Sequence, residues 1–183
     1  QSQAMRLGAG GSTAATQALE YLTGAGLSVD EAIGALPATL RVAKNEQIDT
    51  AKSASALTDV MSIMGLAFDQ TSRAGDVLQK SADETSTSVS ALAEAIRTGG
   101  GEAVKAGYSF EKTVVILTAF AKAGIQGSEA GTALKSLLQN IGDPASKARQ
   151  ELAKFGESTG DVNQFIGRLI ELGPQSLQVV RAF

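Results

Sequence analysis

The chain has 183 residues, enough for one good core or two small helical ones sharing a boundary. It is 43% hydrophobic yet only 4% aromatic, and much of the apolar share is alanine, so many small contacts rather than a few large anchors must hold it. With 16 Lys+Arg against 19 Asp+Glu, a net charge of −3 and no cysteine or histidine, disulfides, thiolate or imidazole metal sites and His-based catalysis are excluded.

Positive residues are scattered singly, with no Lys/Arg-rich run. Phosphate neutralisation supplies most of the affinity of nucleic-acid binders, so specific DNA or RNA binding is not expected. No secretory leader pattern is visible. The chain begins at Gln1 and stops at Phe183 inside an apolar pattern of Leu177, Val179, Val180 and Phe183, so both ends read as cuts in a longer protein. The longest apolar stretch, Val114 to Ala121, falls short of the ~20 residues a helix needs to cross a bilayer.

Helical periodicity recurs throughout, without a competing alternating pattern, and predicts an all-α fold. Residues 1–24 read as a loosely ordered Gly-rich segment before Ser12, then a short helix from Thr13 to Leu22 stopped by Gly24 and Gly26. Ser28 with Glu31 fits a capping box, opening a helix with Val29, Ile33, Leu36 and Leu40 on its buried face. Pro37 should kink or break that helix. A second helix runs from about Asp49 to Met64, burying Ala54, Leu57, Met61 and Met64, and Gly65 closes it. A third starts near Asp69 with Ala74, Val77, Leu78 and Ala82. The fourth follows the Ser/Thr run at 85–88 and buries Val89, Leu92, Ala93 and Ile96, until Gly99, Gly100 and Gly101 break it, since three glycines cost much backbone entropy in a helix.

The same order then returns. Ala25-Gly26-Leu27-Ser28-Val29-Asp30 is echoed by Ala106-Gly107-Tyr108-Ser109-Phe110-Glu111, and Val29, Ile33, Leu36, Leu40 by Phe110, Val114, Leu117, Ala121. Ala54, Leu57, Met61, Met64, Gly65 find counterparts in Gly131, Leu134, Leu138, Ile141, Gly142. Asp69, Ser72, Arg73, Ala74, Leu78 pair with Asp143, Ser146, Lys147, Ala148, Leu152, and Val89, Leu92, Ile96 with Val162, Phe165, Leu169. These matches predict a duplication, with one unit of about four helices at 25–98, a Gly-rich linker at 99–105, a second unit at 106–172 and the start of a further helix at 173–183. The helix from Phe110 to Lys122, with almost no polar face, should be buried on all sides.

Residues 123–135 are the most distinctive stretch. Their glycines lack the Gly-Lys-Ser/Thr end of a phosphate-binding loop, and the expected role is close helix packing through Gly127, Gly131 and Ala130 or Ala133. Asp30, Glu31, Glu94, Glu102, Glu111, Glu129 and Glu171 are catalytic candidates by type, but most sit where they cap helices or offset the helix dipole. Without an aromatic-lined cleft, a glycosidase pair, such as a peptidoglycan hydrolase would need, is not expected. Asp69, Asp83, Glu84 and Asp143 show no metal-loop spacing, so neither catalytic nor metal-binding residues are assigned and no cofactor is expected.

Ala-Gly-Ile-Gln-Gly-Ser-Glu-Ala-Gly-Thr-Ala-Leu-Lys-Ser-Leu-Leu, residues 123–138, closely resembles the signature of the core domain of phage tail tape-measure proteins, the phage-related minor tail protein family. Gly-Leu-Ser-Val-Asp-Glu-Ala at 26–32, Thr87-Ser88-Val89, the Ala-Gly-x-Ser before Phe110 and Asp-Pro-Ala-Ser at 143–146 are also similar to that family. The resemblance spans roughly 14–160. It makes Gly124, Gly127, Ser128, Glu129, Gly131 and Leu134 a helix-packing signature, and it implies a structural, non-enzymatic role. Such a protein lies inside the virion's tail or at its tip, sets tail length, helps tube assembly and is released during DNA ejection. The implied partners are the tail tube protein, other tape-measure chains, baseplate or tail-tip proteins and, in the host cytoplasm, assembly chaperones. An alternative, from the Ala/Gly-rich helices, is a membrane-active segment forming a DNA channel in the host envelope.

Overall fold

A computed structural model describes residues 8–140, together with Gln150 and Gln164. The described residues form seven α-helices and one 3-10 turn, with no strand among them. By internal packing the chain divides into Gln1–Lys80 and Ser81–Phe183.

The first unit contains α1 (Gly8–Gly24), α2 (Val29–Glu46), α3 (Thr50–Met64) and the 3-10 turn Phe68–Gln70, and most of α4 (Thr71–Asp83). α1, α2 and α3 pack on one another. Helix α1 begins at Gly8, so residues expected as a loose segment ahead of Thr13 are already helical. Gly26 ends its corner in the left-handed region at φ 97°, and the Leu27 N–H donates to the Leu22 carbonyl at 3.2 Å. This is the Schellman closure, whose usual apolar contact is made by Leu22 and Leu27, buried in the same cluster.

Helix α2 starts on the expected capping box. The Ser28 oxygen accepts from the Glu31 N–H, and the Glu31 carboxylate accepts from the Ser28 N–H at 2.8 Å. Its inward face corrects the sequence reading, since Val29 is 66% and Ile33 47% exposed. The core side is instead Ala32, Ala35, Leu36, Ala38, Thr39, Val42 and Ala43. Small residues face inward because α1, α3 and the 3-10 turn all contact α2, and larger side chains would hold them apart. Its polar atoms are satisfied: the buried Thr39 hydroxyl donates to the Ala35 carbonyl, and the Ser53 hydroxyl of α3 donates to the Thr39 carbonyl at 2.7 Å.

Pro37 does not break the helix, which is continuous over 18 residues. Pro37 deprives the Ile33 carbonyl of its donor, and both residues are exposed, so the loss falls on the solvent side of the helix. α3 follows its reading closely, capped by the Asp49 side chain and closed by Gly65 at φ 65°. A Cβ built on Gly75 of α4 would stand in ordinary contact with Ala38, Val42 and Leu57.

The second unit holds α5 (Val89–Lys105), α6 (Phe110–Lys122) and α7 (Gly127–Asn140). The Ser88 side chain caps α5, as the Ser/Thr run predicts, and Val89, Leu92, Ala93 and Ile96 are all buried. The expected break at Gly99–Gly101 is absent: residues 99–105 form the last turns of α5 rather than a linker. α6 is not apolar all round, since Val115 is 51% exposed and Lys112 and Lys122 are exposed beside it. The expected counterparts from Ile141 to Leu169, the candidate Glu171 and the apolar end at 177–183 lie outside the described residues.

Candidate interface: the helix crossing at Gly131

The distinctive stretch 123–138 folds as the corner after α6 followed by α7. Gly124 takes φ 84° and Gly127 φ 58°, backbone angles that side-chain-bearing residues rarely adopt. The Ile125 N–H donates to the Phe120 carbonyl at 2.9 Å, and both side chains are buried. Ser128 and Glu129 stand exposed in the first turn of α7, where the carboxylate offsets the helix dipole. Ala130, Gly131, Ala133, Leu134 and Leu137 turn inward.

Within the unit, α5 is the principal packing partner of α7. A Cβ built on Gly131 would stand 2.5 Å from the Ala95 carbonyl oxygen, and one on Gly99 2.3 Å from the Gly131 carbonyl oxygen. The two backbones therefore touch directly, an approach that only glycine permits. Of the six signature residues, Gly131 lies in this crossing, Leu134 is buried on α7, Gly124 and Gly127 shape the turn before it, and Ser128 and Glu129 are solvent-facing.

Gly99 is the crossing residue that sequence reasoning missed, because a triple glycine reads as a break. The available signal was the small-residue spacing Ala95, Gly99, Ala103, one every four residues on the side of α5 that carries Ile96. At the rim, Glu102 accepts from the Lys105 ammonium at 3.0 Å. That hydrogen bond, aided by the charges of Lys105 and Lys135, holds the Glu102 carboxyl below the usual carboxylate range.

The other carboxylates do not converge. Glu31 caps α2, Glu94 pairs with Arg97 one turn on, and Asp30 and Glu129 are exposed. Among the described residues no group of three or more Asp or Glu is placed to hold a metal ion, and no helix is long and apolar enough to cross a membrane.

The family model for phage-related minor tail protein matches residues 1–183. The chain belongs to the phage-related minor tail protein family. A tape measure protein of Pneumococcus phage Dp-1 is 33% identical over 168 residues, 92% of this chain and 14% of that protein. A probable tape measure protein of Escherichia phage P2 is 31% identical over 137 residues, 75% of this chain and 17% of that protein. This minor tail protein chain thus spans under a fifth of the length of these relatives. No solved structure matches it.

Proposed function

We propose that this chain is a structural segment of a tape measure protein, acting in tail length determination and tail tube assembly and leaving the virion during DNA ejection. The observation that carries the reading is the similarity to a tape measure protein across 92% of the chain. The Gly99–Gly131 crossing supports it, being a specific packing device in a chain whose described carboxylates are capping, paired or dispersed. In this reading the segment is not an enzyme, and its signature at 124–134 serves helix packing. Its partners are the tail tube protein, other tape-measure chains, baseplate or tail-tip proteins and assembly chaperones.

We also infer an internal duplication, beginning one helix earlier than the sequence matches suggest. Helices α1 and α5 each have 17 residues, and both end in a left-handed glycine followed, two residues on, by an N-capping serine. Gln47-Ile48 closes α2 as Gly124-Ile125 closes α6, each isoleucine N–H reaching back to a helix carbonyl. Buried positions agree as well. Ala15, Ala18 and Leu22 correspond to Ile96, Gly99 and Ala103, and Ser53, Ala54, Leu57 and Val60 to Ala130, Gly131, Leu134 and Leu137. Ala18 and Ala54 thus stand where Gly99 and Gly131 cross.

The test is tail length by electron microscopy after in-frame deletion of residues 25–172 from the full-length protein in its phage. Tails shorter by about 220 Å, at 1.5 Å per helical residue, would make the segment part of the ruler. Tails of unchanged length would remove it from length determination, and absence of tails would give it the assembly role alone.

A further inference from the structure

Helix α2 carries an apolar stripe that its own unit covers only at one end. Val29 is 66% and Ile33 47% exposed, Pro37 is exposed, and Leu40, half-buried, packs against the Ala15, Ala18 and Leu36 cluster. These positions recur at four, four and three residues, so they share one helix face.

Counted from the N-capping serines, the same stripe on α6 is Phe110, Val114, Thr118 and Ala121. There it is covered: Phe110, Val114 and Ala121 are each 3% exposed, and the Thr118 hydroxyl is 2.6 Å from that of Ser81. As far as Thr39 the remaining buried positions of the two helices coincide, Ala32, Ala35, Leu36, Ala38 and Thr39 against Thr113, Ile116, Leu117, Ala119 and Phe120. The two helices therefore differ along this line, largely buried in α6 and exposed at Val29, Ile33 and Pro37 in α2.

We propose that the Val29–Ile33–Pro37–Leu40 face of α2 is a self-association surface, pairing antiparallel with α2 of a second copy about a two-fold axis near Pro37. Charge selects that occupant. Asp30 and Lys44, both exposed, stand seven residues either side of Pro37, a spacing that returns to the same helix face. An antiparallel pair sets Asp30 of each copy against Lys44 of the other, forming two symmetric ion pairs. A parallel pair would oppose Asp30 to Asp30 and Lys44 to Lys44. The surface is thus self-complementary in the sense a two-fold interface requires. This pairing is independent of the tail-length reading, which survives its failure.

Sedimentation equilibrium of the 183-residue chain should show a monomer–dimer equilibrium. Val29→Glu with Ile33→Glu should make it monomeric with unchanged far-UV circular dichroism, because both side chains lie outside the core. Asp30→Lys or Lys44→Asp alone should raise the dimer dissociation constant roughly tenfold or more, and the two together should restore it. The chain has no cysteine, so Pro37→Cys introduces a single thiol that should oxidise to a disulfide-linked dimer, whereas Asp30→Cys alone should not. A chain that stays monomeric to millimolar concentration overturns the proposal and leaves the face to another segment of the full-length protein or to a different tail protein. Dimers indifferent to the Asp30 and Lys44 substitutions, or linked through Asp30→Cys, overturn the antiparallel arrangement.

Discussion

Ser28 and Gln47 bracket α2 and show two ways a helix end is held. At Ser28 the closure is reciprocal, and the Glu31 carboxyl is held below its ordinary range first by the Ser28 hydroxyl and then by the Ser28 N–H. A depressed carboxylate contributes stability that is present above its unfolded-state value and lost as pH falls through its folded value. Ser28→Ala should cost about 1 kcal/mol at neutral pH, measured by urea unfolding. That difference should narrow at acid pH without vanishing, since the Glu31 N–H still donates to the wild-type serine. At the other end Gln47 adopts φ 54°, a left-handed conformation costing side-chain-bearing residues roughly 1–2 kcal/mol. Gln47→Gly should therefore stabilise the chain by up to about 1 kcal/mol, seen as a higher urea midpoint with an unchanged slope. Ser28 was legible from its spacing to Glu31. Gln47 was not, because nothing in a glutamine announces a left-handed cap; the Ile48 N–H, bonded back to Ala43 at 3.0 Å, imposes it.

Helices α2 and α5 show why element faces were harder to read than element positions. Both starts are capped where the sequence offers caps, at Ser28 and, within the Ser/Thr run 85–88, at Ser88. On α2, however, the larger apolar residues Val29 and Ile33 point outward while alanines point in, since close packing favours the small side. On α5 the glycines that should end the helix lie inside it, and Gly99 meets the α7 backbone. The neighbours Gly99 and Gly101 separate these effects. Gly99→Ala should destabilise by about 1–3 kcal/mol, the range for overpacking, because its Cβ meets backbone that cannot move aside. Gly101 has nothing within 4 Å of a built Cβ, so Gly101→Ala should stabilise by roughly 0.5–1 kcal/mol through helix propensity. Thermal unfolding of the two variants side by side reads the contrast, and equal effects would remove the crossing as the reason for Gly99.

For the whole molecule, no helix among the described residues is long and apolar enough to cross a membrane; in the structural reading proposed above, the purified chain should release no dye from anionic or neutral liposomes. Dye release would favour the envelope-channel alternative over a purely structural role. Local chemistry alone determined the all-α class, most helix starts and the glycine-closed ends at Gly26 and Gly65, because capping oxygens and left-handed glycines act within one turn of the chain. The signature at 123–138 was likewise legible as sequence, and with it the family. Tertiary structure decided which face of α2 is covered, that α5 runs unbroken through three glycines, and that α6 keeps a solvent-facing edge at Val115. Each of those outcomes depends on how closely a second helix approaches, and the partner that sets that distance is remote in sequence, as Gly131 is from Gly99.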